Sequence, residues 1–391
     1  MIQWNEDQRA LRDAALGLGK PLSTGYLERD ADGAFPREQW RLLAESGLLG
    51  LPVDGAWGGL GQDLTTTMHV LEGLGEGCRD TGLSFSACTH LISTCLPVDR
   101  FGSDALKERV LTRAAAGELI GAHAISEPEA GSDMLALRTR AVHDGDELVI
   151  DGHKAFVTNG PVADLYVVYV KTDPGAGAFG ITAVVVERDR PGLTVGNPMR
   201  KMGLRSSPLG ELFFDDCRVP AHNVLGDVGS GFAIFDHVMK WEVLCSFAVN
   251  VGEMQHRLER TVDYVRSRRQ FGRHIGSYQS VAHRVVEMRM AVDTARRALY
   301  DAALKVQRDE DATVDVAIAK LLASEGNLAS AVNAVQIFGG YGYMTEYGLE
   351  HDVRSAMAGT IYSGTTDIQR NRIATMMGLE EPAPDGSRPH A

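Results

Sequence analysis

Between Gly226 and Gln279 the chain spells out a single long helix. After Gly226, Gly229 and Gly231, apolar residues recur in steps of three and four: Phe232, Phe235, Met239, Val243, Phe247, Val251, Met254, Leu258, Val262 and Val265. That spacing describes one amphipathic helix of about nine turns, at ~3.6 residues per turn. Near its start stands Glu242, with Val238, Met239, Cys245 and Ser246 as same-face neighbours. A carboxylate among apolar and small groups loses hydration, which raises its pKa and suits it to proton transfer. On periodicity alone a polar residue at the edge of the stripe is the better reading. Motifs elsewhere in the chain reverse that preference.

With 391 residues the chain is too long for one simple core, so two or three domains are expected. Its 44% hydrophobic and 23% charged content are those of a soluble globular protein. No apolar run reaches the ~18 residues of a membrane span. The stretch Met1 to Asp7 has neither the basic start nor the apolar block of a signal peptide, and the expected compartment is the cytoplasm. Cys78, Cys88, Cys95, Cys217 and Cys245 lack metal-ligand spacing, so free thiols and no metal are expected. A net charge of −13 argues against nucleic acid as a partner. Arg266, Arg268, Arg269 and Arg273 still form a local basic cluster, able to meet a pyrophosphate or phosphopantetheine, or simply a solvated helix end.

Taken in order, residues 1–118 suggest an N-terminal helical domain. Segments run from Glu6 to Gly19, from Pro36 to Gly47, from Leu64 to Leu74 and from Asp104 to Ala116. The stretch Gly77 to Leu91 is small, apolar and almost uncharged, as in a buried helix or the wall of a cavity. His90 and His123 suit packing better than acid–base work. Over residues 119–225 the period changes to two, with strands expected at Ala136–Val142, Glu147–Ile150, Leu165–Lys171, Gly180–Glu187 and Gly210–Asp215. Turn signals such as Asp144-Gly145 and Asp173-Pro174-Gly175 separate them, which implies a compact antiparallel domain. Residues 226–379 return to helix as a C-terminal four-helix bundle, with later segments at Ser280–Gln307, Ala312–Ile337 and after Thr365. The tail 380–391 has a disordered composition. The fold class is therefore α+β and multidomain.

Four stretches carry the chemistry: Ala124-Ile125-Ser126-Glu127-Pro128-Glu129-Ala130-Gly131-Ser132-Asp133; Lys154-Ala155-Phe156-Val157-Thr158-Asn159-Gly160; Arg268-Arg269-Gln270-Phe271-Gly272 with Gln279; and Gln336-Ile337-Phe338-Gly339-Gly340 with Ile361-Tyr362-Ser363-Gly364-Thr365. In this order and spacing they resemble the acyl-CoA dehydrogenase family of flavoproteins, over roughly residues 5 to 378. The resemblance implies a helical, β-barrel-like, helical architecture, bound FAD and a homotetramer. It implies that Ile125, Ser126 and Ser132 belong to a flavin-contacting loop, that Ser126 or Thr158 bonds the ring edge, and that Phe156 stacks on the isoalloxazine. Arg268, Phe271, Gln279, Gln336, Gly339, Gly340 and Thr365 fall at positions that hold the rest of FAD. Without those companions Gly339-Gly340 would be a plain helix stop.

If the long helix is continuous, Glu242 and Arg268 lie 26 residues apart, roughly 39 Å at ~1.5 Å per residue. Either the helix breaks, or Arg268 serves the FAD of a neighbouring subunit in a dimer or tetramer.

The sequence departs from the common family pattern at Ser363, where most members carry a catalytic glutamate. A minority branch, including isovaleryl-CoA dehydrogenases, keeps that glutamate on the long helix. Counting back from Phe271, it falls on Glu242, which becomes the candidate base. CoA-using relatives tend to keep an acidic residue and an arginine where this chain has Lys240 and Val243. The surroundings look more like dehydrogenases of natural-product pathways, above all prolyl-carrier-protein dehydrogenases. The resemblance then implies α,β-dehydrogenation of an acyl or aminoacyl thioester on a carrier protein, with Trp241, Cys245, Cys88 and Ser363 lining the substrate pocket. An electron-transfer flavoprotein or oxygen would take the electrons onward. The alternatives are a CoA-thioester dehydrogenase of short or branched chains, a flavin monooxygenase of the same fold, and a non-catalytic flavin-binding module.

Overall fold

The computed structural model describes residues 2–379, and the tail expectation for 380–391 lies outside the described residues. The chain divides between Val249 and Asn250 into two compact units. In the first, helices α1 (Glu6–Gly17), α2 (Gly19–Ser23), α3 (Tyr26–Asp32), α4 (Arg37–Glu45), α5 (Leu64–Gly77), α6 (Thr81–His90), α7 (Leu96–Phe101), α8 (Asp104–Leu106) and α9 (Thr112–Ala115) precede the sheet. Several helix starts are set by side chains. Asn5 and Gln8 form a reciprocal capping box on α1, and Asp63 and Asp80 accept from backbone N–H groups at the starts of α5 and α6. Pro36 caps α4 rather than entering it. Helix α3, bounded by left-handed Gly25 and Gly33, is too short to leave a periodic signal.

Helices α6 and α7 are joined by a π-turn over Leu91–Cys95, in which the Leu96 N–H donates to the Leu91 carbonyl. The cause sits in the sequence. Pro97 has no N–H to give the Ser93 carbonyl four residues back, and its ring crowds that oxygen. Widening the turn relieves both conflicts. The turn rests on the first strand, where a Cβ added to Gly121 would fall 2.5 Å from the Thr94 side chain.

The strands are β1 (Gly121–Ala124), β2 (Arg140–Asp144), β3 (Glu147–Thr158), β4 (Leu165–Lys171), β5 (Ile181–Glu187), β6 (Leu193–Val195), β7 (Leu209–Pro220) and β8 (Val224–Leu225). Their order is β6-β7-β3-β2-β4-β5-β8, with β1 beside β4. Pairing is antiparallel except for β1 with β4 and one parallel bridge between β2 and β4, so the sheet is mixed at that point. The strand expected at Ala136–Val142 begins only at Arg140. The Glu127 carboxylate takes the N–H groups of Arg138 and Thr139 and keeps them out of the ladder. Strand β3 runs on to Thr158, past the expected end at Ile150. It bulges after Ile150 and after Lys154, and each bulge breaks the period of two. Strands β4 and β5 are buried on both faces. One core combines Val98, Leu106 and Val110 from the helices, Leu165, Val167, Ile181 and Val185 from the sheet, and Val238 from the long helix, so helices and sheet share one unit.

Helix α10 (Gly231–Ser267) is unbroken, and from Asn250 it belongs to the second unit. There it is followed by a small hairpin, β9 (Arg269–Gln270) and β10 (Arg273–His274), and by α11 (Gln279–Gln307), α12 (Thr313–Phe338), α13 (Leu349–Ala358) and α14 (Thr366–Met376). Among the described residues no helix is long and apolar enough to cross a membrane. The bundle interior holds a polar chain. Arg257 donates to Asp352 Oδ2 (3.0 Å) and Asn327 Oδ1 (2.9 Å), Asn327 and Asn250 both donate to Glu253 Oε2 (3.2 Å), and the Tyr362 hydroxyl donates to Asn250 (3.3 Å). This chain fixes the Ile361 to Thr365 stretch against α10. Replacing the fully buried Arg257 by Leu removes its bonds to Asp352 and Asn327 from the bundle interior, and we expect a loss of about 3–5 kcal/mol in urea unfolding.

Candidate active site

Glu242 lies about three turns into α10, and its side chain is 18% exposed. Two elements of the first unit reach it. Ser93, buried in the π-turn, donates its hydroxyl to Glu242 Oε2 at 2.6 Å. From β1, His123 Nδ1 stands 3.5 Å from the same oxygen. The other ring nitrogen of His123 is 3.3 Å from the Tyr169 hydroxyl, and the two rings meet edge-on. Burial, then the Glu242 charge, push the Tyr169 hydroxyl well above its ordinary pKa, so it stays protonated. It can therefore donate to Nε2, leaving the His123 proton on Nδ1, towards the carboxylate.

Of the predicted pocket residues, Cys88 comes within electrostatic reach of Glu242, and its thiol lies 3.2 Å from the Ser246 hydroxyl. Burial pushes Cys88 up to about 12, with Ser246 opposing and Glu242 adding to the rise. Cys245, fully buried, is raised well above its usual value by burial and by Cys88. Neither thiol is a nucleophile at neutral pH. Trp241 is buried beside His237. His90 is a packing residue, as its sequence context suggests. It accepts the Gly121 N–H at Nδ1 (2.9 Å) and faces the Ala114 carbonyl with Nε2 (3.0 Å), and burial holds it down to about 4.

The first two motifs are tied together by a buried ion pair. Lys154 Nζ donates to Glu127 Oε1 and to the Ile125 carbonyl, both at 2.9 Å, and the Ala155 N–H donates to the Ser126 carbonyl at 2.9 Å. Burial alone would push Glu127 up, but the Lys154 ammonium, with the Thr139 and Arg138 donors, outweighs it and holds the carboxyl below its ordinary value. Burial draws Lys154 down to about 8, so both groups are ionised at neutral pH. The anchor fixes Ile125 and Ser126 beside the bulge of β3. There Phe156 stands at φ 56° and 60% exposed, with Thr158 half-buried two residues on. Ser132 is exposed farther along the same loop. Asn159, also at positive φ, donates to the carbonyls of Ser86 and Gly121 and so ties α6 to β1.

In the second unit Phe271 and Gly272 form the two-residue tip of the hairpin, both at positive φ, with Phe271 92% exposed. Arg268 at the base of the hairpin stacks over Tyr341, just beyond Gly339 and Gly340, with 5.6 Å from its guanidinium carbon to the ring centre. Gln279 and Gln336 are exposed on α11 and α12. Gly339 does stop α12, at φ 60° and ψ −131°, a conformation open to glycine. Thr365 caps α14 by accepting the Ile368 N–H, and the carbonyl of Ser363, itself at φ 53°, accepts from the Gln369 side chain at 3.0 Å.

Sequence reasoning missed Ser93 and Tyr169 and passed over His123 as a packing residue. One signal was available for His123: it precedes Ile125 by two, and strand alternation puts both on one face. The π-turn gives no such periodic signal.

The acyl-CoA dehydrogenase N-terminal, middle and C-terminal domains match residues 5–118, 122–217 and 229–378. An L-prolyl-[peptidyl-carrier protein] dehydrogenase of Pseudomonas fluorescens is 42% identical over 346 residues, which is 88% of this chain and 91% of that protein. Among solved structures, the prolyl acyl carrier protein oxidase AnaB is 38% identical with a TM-score of 0.93, covering 96% of this chain and 100% of AnaB. PigA with FAD and proline is 36% identical with a TM-score of 0.94, covering 97% of this chain and 99% of PigA. With four motifs in register and relatives matched over most of its length, the chain belongs to the acyl-CoA dehydrogenase family.

Proposed function

We propose that this protein is an FAD-dependent dehydrogenase that desaturates the α,β-bond of an acyl or aminoacyl thioester, with a prolyl-like group on a carrier protein as the substrate that fits best. The observation that carries the reading is Glu242. It is a half-buried carboxylate held by Ser93 and His123, in a chain 42% identical to a prolyl-carrier-protein dehydrogenase.

The residues present suit FAD. Phe156 offers an exposed aromatic face at a strained bulge, and the Ser126 and Thr158 hydroxyls lie on the two stretches joined by the Lys154 anchor. A Cβ at Gly339 or Gly340 would meet no atom within 4 Å, which leaves room for a phosphate chain to approach the backbone. Arg268 supplies the cation for it. FAD, when bound, accepts the hydride from the substrate β-carbon. Glu242 removes the α-proton, so the thioester loses one proton and one hydride and gains a double bond. The Ser93 hydroxyl bond, with His123 Nδ1 beside the same oxygen, holds the carboxylate in one orientation for that step. Ser363, Trp241, Cys88 and Cys245 are proposed to shape the pocket.

The reading extends to the assembly. Arg268, Phe271, Gln279, Gln336, Gly339 and Gly340 are all exposed in the single chain, and α10 is unbroken. Both facts support the second of the two options, in which these residues serve a neighbouring subunit's FAD in a homotetramer. The proposed organisation has three domains, at 1–118, 119–225 and 226–379, in a cytoplasmic enzyme that passes electrons to an electron-transfer flavoprotein or to oxygen.

Glu242→Gln should slow anaerobic flavin bleaching by thioester by roughly 10²–10⁴-fold while leaving FAD content unchanged. A rate within a few fold of the parent would remove Glu242 as the base, whereas oxygenation that survives while bleaching is lost would favour the monooxygenase alternative. In a panel of L-prolyl carrier protein, L-prolyl-CoA and butyryl-CoA, the carrier-bound prolyl group should bleach the flavin at least roughly tenfold faster than either CoA ester. Faster bleaching by butyryl-CoA would replace this substrate with a CoA-linked acyl chain.

A further inference from the structure

We propose that Ser93 is the positioning residue of the catalytic carboxylate, and that the π-turn imposed by Pro97 is what sets its hydroxyl against Glu242. The proposal rests on reading Glu242 as the base.

The 2.6 Å separation between Ser93 Oγ and Glu242 Oε2 falls in the range of a hydroxyl bonded to an ionised carboxylate. The terminal torsion of a glutamate is broad, so its carboxylate plane is set by its partners rather than by its own rotamer. Ser93 supplies such a partner from a rigid place. It is buried, and the residues on either side of it are held: His90 by Gly121 and Ala114, and Thr94 by the close approach of Gly121. Strand β1 then brings His123 Nδ1 to within 3.5 Å of the same oxygen. Two elements thus converge on Oε2 through one shared contact, the seating of the π-turn on Gly121.

The π-turn is essential to this arrangement. Adding one residue to a helical turn rotates every later side chain relative to the earlier ones. Pro97 forces that addition because it withholds the N–H that an α-helical Ser93 carbonyl would receive. With Ala at position 97 the hydrogen bond of an ordinary turn becomes available, and Ser93 is free to turn from the carboxylate.

The test uses the intact FAD enzyme with L-prolyl carrier protein, or with butyryl-CoA if that is the thioester it turns over. Ser93→Ala should lower the rate constant of flavin reduction by roughly 10–100-fold, with KM and FAD content unchanged. Ser93→Thr, which keeps the hydroxyl, should recover most of that loss. Pro97→Ala should lower the same rate constant with Ser93 still present. In a crystal structure of Ser93→Ala the Glu242 carboxylate should leave its place beside His123. Reduction at the parent rate in Ser93→Ala overturns the proposal, and reduction at the parent rate in Pro97→Ala overturns the part assigned to the π-turn. If Ser93→Ala does not fold, Pro97→Ala decides alone. Glu242→Gln keeps the two readings apart: if it retains activity the base assignment fails, whereas if it is inactive and Ser93→Ala is not, only the positioning role falls.

Discussion

A carboxylate withdrawn from water has to be met by donors, and the first unit is arranged to supply them to Glu242. Ser93 arrives from a helix and His123 from a strand, and neither element could reach the carboxylate without the other. Helix α6 and its π-turn seat on β1 only because residue 121 is glycine, and β1 carries His123 onward to the same oxygen. The same strand leads within two residues to Ile125 and Ser126, the start of the first motif. The proposed base and the proposed cofactor loop are therefore set by one short strand, so a shift in one is a shift in the other.

The second constraint is electrostatic. Lys154 and Glu127 are both removed from solvent, a placement that costs stability unless every donor and acceptor is used. Here they are used. Glu127 takes Lys154 and two backbone N–H groups, while Lys154 also takes the Ile125 carbonyl. Apolar residues of the same volume would pack as well but could not hold the Ile125 carbonyl or stop β2 from starting early. Conformational specificity at the loop explains the pair better than stability does.

Much of this was legible in the residues. The 3.6 period of α10 and the continuous apolar run of β4 were plain because neither element is interrupted, and the bounds of β4 match that run. Legibility failed where one residue too many enters an element. The bulges of β3 hid the continuation from Ile150 to Thr158, and the π-turn at Leu91 to Cys95 hid the direction in which Ser93 points. Pro97 was visible as a proline, but whether it ends a helix or widens it depends on the tertiary surface beneath. That surface is Gly121, 24 residues farther along the chain. His123 looked bland for a related reason, since its partners are distant in sequence: the parallel pairing of β1 with β4 brings Tyr169 to it, and α10 brings Glu242.

Strain connects the motifs to the fold. Among the described residues seven that are not glycine adopt positive φ, and four of them, Phe156, Asn159, Phe271 and Ser363, fall in the motif stretches. An L-residue in that region costs of order 1–3 kcal/mol and persists only where its surroundings over-determine it. Asn159 meets that condition through two carbonyls, and the carbonyl of Ser363 through Gln369. Phe156 is held by the bulge, Phe271 by the hairpin turn and an edge-on contact with the Tyr278 ring, and both aromatic rings stay largely exposed. A strained backbone that aims a large apolar ring at solvent gains little within its own chain. The compensation has to come from whatever covers the ring, which under the proposed function is a flat cofactor for Phe156 and a second subunit for Phe271.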